Sequence, residues 1–512
     1  GSGFSRDGQY MAYGISEGGS DWVTWKVRDL KTNTDLADTI RWSKFSPAAW
    51  MPDGSGFFYS RFAEPQTGQA MQDANRNQTM WFHRPGTPQS EDVLVHADPE
   101  HPDWGWSPQV TEDGRWLVVN VWRGGAEDRV MVQDLRQTGS ALEPIIEEFE
   151  DEWSLVGSEG PLLYFRTTKD APRGRLVSID MSDPKRSMRE IIPESDDQLR
   201  GVSLVGGHFV TNRLHHATSL VQIYDTQGRL QRTLQQPGPG TVSGFGGWED
   251  DPETFYTWTS YTSAPQIFRY DVSTGESTPW WQADVAFDPD KYIATQVFVT
   301  SKDGTQVPMM IVRRSDITAN GQRPTLLYGY GGFNIPLLPV FSASRLVWME
   351  MGGVMAVANL RGGGEYGRDW HLDGTKLKKQ NVFDDFIACA EWLIEHDWTR
   401  PSRLAIQGGS NGGLLVGAAM TQRPELFGAC LPAVGVMDML QRMQSDRFKV
   451  FSTQSDFFEE LRMYHRKEGK IQPLKDDLLS ACRYAVMSLR YAVPEGDSPW
   501  KGEIKYPSLG IV

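Results

Sequence analysis

A serine lies among glycines in the segment IQGGSNGGLLVG, residues 406–417, and its hydroxyl is the group in this sequence best placed for nucleophilic chemistry. The pattern G-x-S-x-G, here Gly408 to Gly412, typically places a nucleophilic serine in a sharp turn between a strand and a helix. Glycines give the backbone the freedom for such a turn. The backbone N–H of Asn411 would then lie at a helix N-terminus, where it could stabilise an oxyanion. The pattern therefore predicts that Ser410 attacks an acyl group.

The segments around this serine alternate between strand-like and helix-like patterns. RLAIQ, residues 403–407, is a predicted strand before the glycines, and NGGLLVGAAMTQ begins a predicted helix after them. Upstream, residues 291–314 predict a β-hairpin, and PTLLYGYGGF and GGVMAVANLRGGGEYG predict buried strands that lead into glycine-rich loops. Residues 382–398 have apolar positions on one side of a predicted helix: Phe383, Phe386, Ile387, Ala390 and Leu393. This alternation predicts a mostly parallel α/β sheet.

The first 285 residues repeat a different pattern. Asp-Gly lies between β-rich runs in FSRDGQYMAYG, WMPDGSGFFYS and VTEDGRWLVVN, which is a hairpin signal. Weaker copies follow within residues 155–167, 202–213 and 245–258. The turns recur about every 45–60 residues, the period of a four-stranded propeller blade. We predict a β-propeller of about six blade-like units, with an array of β-sandwiches as the alternative.

Six motifs occur in a characteristic order: YGYGGFN, ANLRGGGEYG, KQNVFDDF, GGSNGGLLVGA, QRPELFGA and VGVMDML. Together they resemble the prolyl oligopeptidases, serine peptidases in which a seven-bladed propeller caps an α/β-hydrolase domain. The resemblance extends from residue 1 to about residue 440. It implies an incomplete propeller of the seven-bladed type and a truncated α/β-hydrolase domain in this chain.

The same resemblance assigns roles to individual residues. It implies that Ser410 is the nucleophile and that the hydroxyl of Tyr330 stabilises the oxyanion together with the N–H of Asn411. It also implies that Phe333 lines the pocket for the proline ring of the substrate. A phenol on a glycine-rich loop is a suitable hydrogen-bond donor, and an aromatic face suits a flat apolar ring. Without the resemblance, Tyr330 and Phe333 would be interpreted as core aromatic residues.

The base and the acid of a catalytic triad are not evident from the sequence. In α/β-hydrolases they follow the nucleophile in the order Ser, acid, His. Only His465, in the basic stretch MYHRKEGK, follows Ser410, and we interpret it as a histidine on an exposed helix end. His371, in GRDWHLDG, falls in a non-catalytic part of the family pattern and is interpreted as structural. We therefore expect Ser410 to be correctly placed and weakly activated.

The last 72 residues differ in composition from the rest, with a net charge of +2 against −17 for residues 1–440. They resemble the C-terminal end of phage terminase large-subunit nuclease domains, in which an acidic pair, here Asp476 and Asp477, helps to hold a metal. A lone carboxylate pair does not assemble a two-metal site, so we favour a solvated helix N-terminus and expect no metal. The predicted domains are a propeller over 1–285, a partial hydrolase domain over 286–440 and a foreign helical and loop segment over 441–512.

Charge and composition restrict the partners. The net charge of −15 argues against binding to nucleic acid or an anionic membrane, and no apolar run approaches the roughly 18–20 residues that span a bilayer. Cys389, Cys430 and Cys482 have no metal-ligand or disulfide spacing. The N-terminus, GSGFSRDGQY, has no signal-peptide pattern. We expect a soluble monomer without a cofactor, either cytoplasmic or periplasmic.

The sequence leaves two functions open. The first is a serine-type endopeptidase of the prolyl oligopeptidase family, which hydrolyses short peptides after proline through an acyl-enzyme at Ser410. The alternative is a catalytically inactive fusion or truncated homologue that lacks the triad Asp and His.

Overall fold

The computed structural model describes residues 1–18, 20–66 and 75–435, together with the backbone of a strand pair at Arg466–Lys467 and Lys470–Ile471. None of the helices in this part of the chain is long and apolar enough to cross a membrane. The predictions for His465, Asp476, Asp477 and the remainder of the tail lie outside the described residues.

Six antiparallel sheets follow one another between Ser2 and Gln282, and we number them blades 1 to 6. Blade 1 consists of Ser2–Phe4, Tyr10–Ile15, Val23–Asp29, Thr34–Asp35 and Ile40–Ser43. Blade 2 consists of Ala49–Trp50, Phe57–Arg61, Thr79–His83 and Val93–His96. Blade 3 consists of Gly105–Val110, Trp116–Trp122, Arg129–Asp134 and Glu143–Ile146.

The next three blades have four strands each and the same up-and-down order. Blade 4 consists of Trp153–Glu159, Leu162–Thr167, Arg175–Asp180 and Met188–Ile192. Blade 5 consists of Gln198–Val205, His208–His215, Thr218–Asp225 and Leu230–Thr233. Blade 6 consists of Thr241–Gly246, Glu253–Thr259, Gln266–Asp271 and Ser277–Gln282.

The number of blades corrects the seven-bladed type that the resemblance implied. Every described strand between Ser2 and Gln282 belongs to one of six sheets, so none is left to form a seventh. The count of about six units made from the repeated turns is confirmed. It was right because each repeat carries its own turn and strands, whereas the resemblance supplied only the number typical of the family.

The packing between blades distinguishes a propeller from an array of sandwiches. On the strand Trp116–Trp122, alternate side chains point to opposite faces of the sheet. Leu117 and Val119 pack in one apolar cluster with Phe58 of blade 2. Val118 packs in another with Phe165 of blade 4. Because a middle blade is buried on both faces by its two neighbours, the sandwich alternative is wrong.

A six-stranded sheet follows the propeller. Its strands are Tyr292–Thr300, Gln306–Arg314, Thr325–Tyr328, Val354–Ala358, Leu404–Gly409 and Ala429–Ala433. In spatial order they run first, second, fourth, third, fifth and sixth. The first three neighbours in that order pair antiparallel, and the remaining pairings are parallel. The predicted hairpin, buried strands and mostly parallel sheet are confirmed.

Within residues 286–435, four α-helices accompany this sheet: α1 is Ala343–Glu350, α2 is Arg368–Leu372, α3 is Lys379–Glu395 and α4 is Asn411–Gln422. Single-turn 3-10 helices occur at Gln89–Glu91, Pro289–Lys291, Lys376–Lys378, Pro401–Arg403 and Pro424–Leu426. The five apolar residues predicted on one side of α3 are all buried against the sheet. Their burial confirms the helical spacing read from the sequence.

Candidate active site

Ser410 occupies a tight turn between a strand and a helix. The strand Leu404–Gly409 ends at the preceding residue, and α4 begins at Asn411. Ser410 has φ 55° and ψ −116°, a conformation that is costly for any residue except glycine and that often marks a functional site. Its backbone N–H donates to the carbonyl oxygen of Ala433 at 2.9 Å, and the residue is exposed. The structure thus contains the strand, turn and helix that the G-x-S-x-G pattern predicts.

Two glycines allow this turn to close. A Cβ atom on Gly408 would lie 2.3 Å from the carbonyl oxygen of Gly412, and one on Gly412 would lie 2.6 Å from the carbonyl oxygen of Gly329. Both distances are far below van der Waals contact with backbone atoms. Glycine is therefore required at Gly408 and Gly412 for the strand, the helix and the neighbouring loop to approach one another.

Tyr330 lies on the loop beside this turn. Residues 329–334 follow the strand Thr325–Tyr328, which pairs parallel with Leu404–Gly409, so the carboxyl ends of the two strands lie at one edge of the sheet. The side-chain amide of Asn411 donates from Nδ2 to the carbonyl oxygen of Tyr330 at 2.5 Å. The structure brings together the two loops that carry the proposed oxyanion donors.

Phe333 lies on the same loop and faces solvent. Its side chain is 72% exposed, and its φ of 55° is in the left-handed region. This exposure shows that Phe333 is not a core residue, which would be its interpretation without the family resemblance. The adjacent Asn334 donates from Nδ2 to Oε1 of Glu152 at 3.3 Å. The carbonyl oxygen of Gly362 accepts from the backbone N–H of Asn334 at 3.2 Å and from Nδ1 of His371 at 2.7 Å. His371 thus supports the loop, and Glu152 joins it to the start of blade 4.

A cavity of about 480 Å³ opens at this junction of propeller and hydrolase domain. Its lining includes Glu127, Phe149 and Glu152 from the propeller and Asn334, Arg368 and His371 from the hydrolase domain. Arg368 crosses the junction to form ion pairs with Asp151 at 3.3 Å and Glu127 at 3.8 Å. The loop that carries Phe333 therefore borders a polar space enclosed by both domains.

The described residues include eight of the nine histidines, and none of the eight is hydrogen-bonded to Ser410. His83 lies buried between Asp38 and Asp92, and His216 contacts the hydroxyl of Tyr366 at 2.8 Å. Nor do those residues contain a group of three or more His, Cys, Asp or Glu side chains arranged to hold a metal ion.

Lys379 is a residue near the site to which the sequence analysis gave no role. From the start of α3, its ammonium donates to the carbonyl oxygen of Gly331 at 2.8 Å and to Oδ1 of Asn411 at 3.3 Å. Burial lowers the pKa of Lys379 to about 8. The available signal was its position, because a lysine in the first turn of a helix opposes the helix dipole.

Arg361 and Asp385 form a buried ion pair between elements that flank the site. Arg361 and Asp385 are 3% and 0% exposed, and the guanidinium donates to the carboxylate from Nη2 at 2.6 Å and from Nε at 2.9 Å. Ser301 donates its hydroxyl to the same carboxylate at 2.5 Å. Since Asp385 is on α3 and Arg361 is on the loop after the strand Val354–Ala358, the pair joins two elements that flank the site.

These features together define a class of protein: an α/β-hydrolase domain with a serine in a tight turn between a strand and a helix, preceded by a β-propeller. Residues 1–283 match the family model described as prolyl oligopeptidase, N-terminal beta-propeller domain, and residues 339–476 match the one described as prolyl oligopeptidase family. The chain belongs to the prolyl oligopeptidase family. The second match extends past residue 440, and none of the matches supports the resemblance of the tail to a terminase nuclease.

Characterised relatives and solved structures agree with this assignment. The prolyl endopeptidase of Elizabethkingia meningoseptica is 41% identical over 439 residues, which are 86% of this chain and 62% of that protein. Prolyl oligopeptidase A of Amanita bisporigera is 36% identical and is covered over 61% of its length. This chain therefore spans less than two thirds of these relatives.

Two solved structures superpose closely. One, from a structural and mechanistic analysis of two prolyl endopeptidases, is 40% identical with a TM-score of 0.80, over 86% of this chain and 65% of that one. The other is prolyl oligopeptidase B from Galerina marginata bound to a 25mer macrocyclization substrate. It is 31% identical with a TM-score of 0.82, over 86% of this chain and 64% of that one.

Proposed function

We propose that this chain carries the propeller, the nucleophile and the oxyanion donors of a serine peptidase that cleaves short peptides after proline. The observation that carries the proposal is the backbone of Ser410, with φ 55° at the junction of a strand and α4. The hydroxyl oxygen of Ser410 attacks the peptide carbonyl, the peptide C–N bond breaks and the amine leaves with the serine proton, which gives an acyl-enzyme that water hydrolyses. The N–H of Asn411 and the hydroxyl of Tyr330 donate to the oxyanion.

Proline specificity rests on Phe333 and on the relatives. An exposed aromatic ring on a loop anchored by Asn334 and His371 offers a flat apolar surface to a proline ring. The names of the relatives in Elizabethkingia and Amanita support the same specificity. The propeller beside the site would favour short unstructured peptides over folded proteins, because substrate must enter the space between the two domains.

The remaining assignments are also proposals. The net charge of −15 favours a soluble monomer that binds neither nucleic acid nor membranes. The proposed acyl-enzyme route uses no metal or cofactor. We also propose domain limits at residues 285 and 440 and a cytoplasmic or periplasmic location.

The inactive alternative is favoured by a specific observation. None of the histidines in the part of the chain that the structure describes is hydrogen-bonded to Ser410. A serine hydroxyl without a base is a poor nucleophile at neutral pH. Under this alternative the 512 residues fold around an intact serine turn that turns over little substrate.

One comparison tests both functions. We define the graft protein as residues 1–440 joined to the C-terminal part of the Elizabethkingia meningoseptica prolyl endopeptidase. It is assayed beside the 512-residue chain on a blocked chromogenic peptide ending in proline and on its alanine counterpart. The graft protein should cleave the proline peptide preferentially. A folded graft protein without turnover would contradict the proposed peptidase, and rapid turnover by the 512-residue chain would contradict the alternative.

Removing the phenolic hydroxyl of Tyr330 should slow acylation. In the graft protein we expect Tyr330→Phe to lower kcat about 10²–10³-fold, the effect of losing one preorganised donor to an oxyanion. KM should change little, because the hydrogen bond strengthens only as charge develops. Tyr328→Phe, two residues earlier in the same motif, is the matched control and should retain normal kcat. Equal rates for wild type and Tyr330→Phe would remove Tyr330 from the oxyanion site.

Removing the ring of Phe333 should weaken recognition of proline. We expect Phe333→Ala to lower kcat/KM for the proline peptide by about 2–3 kcal/mol, the scale of an aromatic contact that substrate buries. The loss should be smaller for the alanine peptide. Folding stability should change by less than about 0.5 kcal/mol, because the ring is exposed in the free protein. Ile335→Ala, another exposed residue of the same loop, is the control, and an equal loss on both peptides would place the proline pocket elsewhere.

A further inference from the structure

Three hydrogen bonds close a ring between α3, the loop 329–334 and the serine turn. The ammonium of Lys379 donates to the carbonyl oxygen of Gly331 at 2.8 Å and to Oδ1 of Asn411 at 3.3 Å. The other end of that amide donates from Nδ2 to the carbonyl oxygen of Tyr330 at 2.5 Å. One lysine thus contacts the backbone next to Tyr330 and the side chain of the residue that follows Ser410.

Keeping Lys379 charged at this position costs free energy. Both of its acceptors are uncharged, and no carboxylate of the described residues forms an ion pair with it. It also lies at the start of α3, where the helix dipole disfavours a cation. Its neighbour Lys378 is exposed instead and pairs with Asp373 at 2.6 Å. A neutral donor could make the same two hydrogen bonds without this cost. The charged ammonium makes them stronger, and this strength holds the loop 329–334 and the serine turn together.

We propose that Lys379 is a positioning residue that fixes the loop of Tyr330 against the serine turn, so that the Tyr330 hydroxyl and the Asn411 N–H reach the same oxyanion. This inference rests on the proposed peptidase function. Lys379 itself touches no reacting atom. Its charged form holds Gly331 and Asn411 in register, and the neutral form holds them less tightly.

The first test measures the loops directly and needs no turnover. Hydrogen exchange is followed in the 512-residue chain for peptides that cover residues 329–334 and 410–414. We expect Lys379→Met to speed exchange in both segments about tenfold, the equivalent of about 1.4 kcal/mol, and to leave the buried part of α3 unchanged. Lys378→Met is the matched control and should change neither segment. Unchanged exchange in Lys379→Met would overturn the proposal.

The second test separates positioning from substrate binding. In the graft protein, Lys379→Met should lower kcat about 10–100-fold with KM altered less than twofold, and Lys379→Arg should recover part of the loss because it keeps the charge. A change confined to KM, or no recovery in Lys379→Arg, would contradict the proposal. If the graft protein is inactive, the peptidase proposal fails while the exchange measurement still decides the role of Lys379.

The third test uses pH. Charged or titratable residues on the first two turns of α3, on the segment before it and on the neighbouring loops include Tyr330, Arg361, Asp373, Lys376, Lys378, Asp384 and Asp385. Burial lowers the pKa of Lys379 to about 8 from 10.5. The kcat of the graft protein should therefore fall as pH rises through about 8. The Lys379→Arg variant of the graft protein should not show this fall.

Folding stability should respond to the same titration with the opposite sign. Between about pH 8 and 10.5 the unfolded chain binds the Lys379 proton and the folded chain does not, so this group makes the protein more stable as pH rises. If the charge of Lys379 instead stabilised the fold, its pKa in the folded protein would be raised, and stability would fall together with kcat as pH rises. Parallel changes of the two quantities in wild type, relative to Lys379→Met, would therefore overturn the proposal.

Discussion

Replacing Ser410 by alanine is expected to lower the kcat of the graft protein for the proline peptide by about 10⁶-fold, as loss of the nucleophile does in other serine peptidases. The remaining rate would come from the oxyanion donors and from substrate binding. Covalent labelling by a fluorophosphonate should disappear as well. Turnover is followed by release of the chromogenic group, and labelling by the mass of the intact protein.

Ser402→Ala is the control for this substitution. Ser402 is an exposed serine of the same domain, in the turn Pro401–Arg403 that precedes the strand of Ser410, and its loss should leave both measurements unchanged. Persistent labelling of Ser410→Ala would show that another side chain reacts. It would also remove the nucleophile from the proposed function.

The same assay on the 512-residue chain asks whether any histidine of this chain activates Ser410. A triad without its base loses on the order of 10⁶-fold in kcat, so we expect this chain to show no measurable turnover and slow labelling at Ser410. Labelling that is fast and lost in Ser410→Ala would mean that His465 or another histidine reaches the serine. The comparison thereby separates a correctly shaped serine turn from an activated one.

Local patterns were sufficient to predict the elements around the site. The spacing of Phe383, Phe386 and Leu393 predicted α3 because a helix brings every third or fourth residue to one face. The glycines next to Ser410 predicted the serine turn because few other residues fit it. In the propeller, three Asp-Gly turns and three weaker copies of the pattern predicted about six blades, since each blade repeats its own signal.

The contacts of the site were beyond the reach of the sequence. Lys379, Gly331 and Asn411 are far apart along the chain, and no periodicity relates them. Phe333 illustrates the same limit, because an aromatic residue on a glycine-rich loop is compatible with a buried position as well as with its 72% exposure. Only the folded arrangement of the sheet and the propeller decides between a buried and an exposed position for Phe333.

Asp385→Ala is expected to lower the free energy of unfolding of the hydrolase domain by about 3–5 kcal/mol, the cost of leaving a buried charge without its partner. Among the described residues, Arg361 would keep Asp303 as its carboxylate partner, whose side chain is 48% exposed. Ser301 would lose an acceptor at the same time. The measurement is denaturant unfolding, with hydrogen exchange of α3 to report on this domain alone.

A double-mutant cycle gives this prediction its control. Arg361→Met alone should also be costly, because it leaves the Asp385 carboxylate buried and unpaired. Arg361→Met with Asp385→Leu should cost less than either single replacement, since an apolar pair needs no compensation for desolvation. Asp303→Ala should cost only about 1 kcal/mol or less, because this partner is partly exposed and screened by solvent. Additive losses in the double mutant would contradict a buried pair.

The same pair should influence the site as well as stability. Asp385 lies on α3, the helix whose first residue is Lys379, and the loop of Arg361 receives the backbone N–H of Asn334 at the carbonyl oxygen of Gly362, 3.2 Å away. Loosening the pair Arg361–Asp385 would therefore disturb both α3 and the loop of Arg361, the two elements that hold the loop 329–334. In the graft protein, Asp385→Ala should lower kcat even where the domain remains folded, whereas Asp303→Ala should not. An Asp385→Ala protein that is destabilised but has wild-type kcat would show that the ion pair serves only the fold.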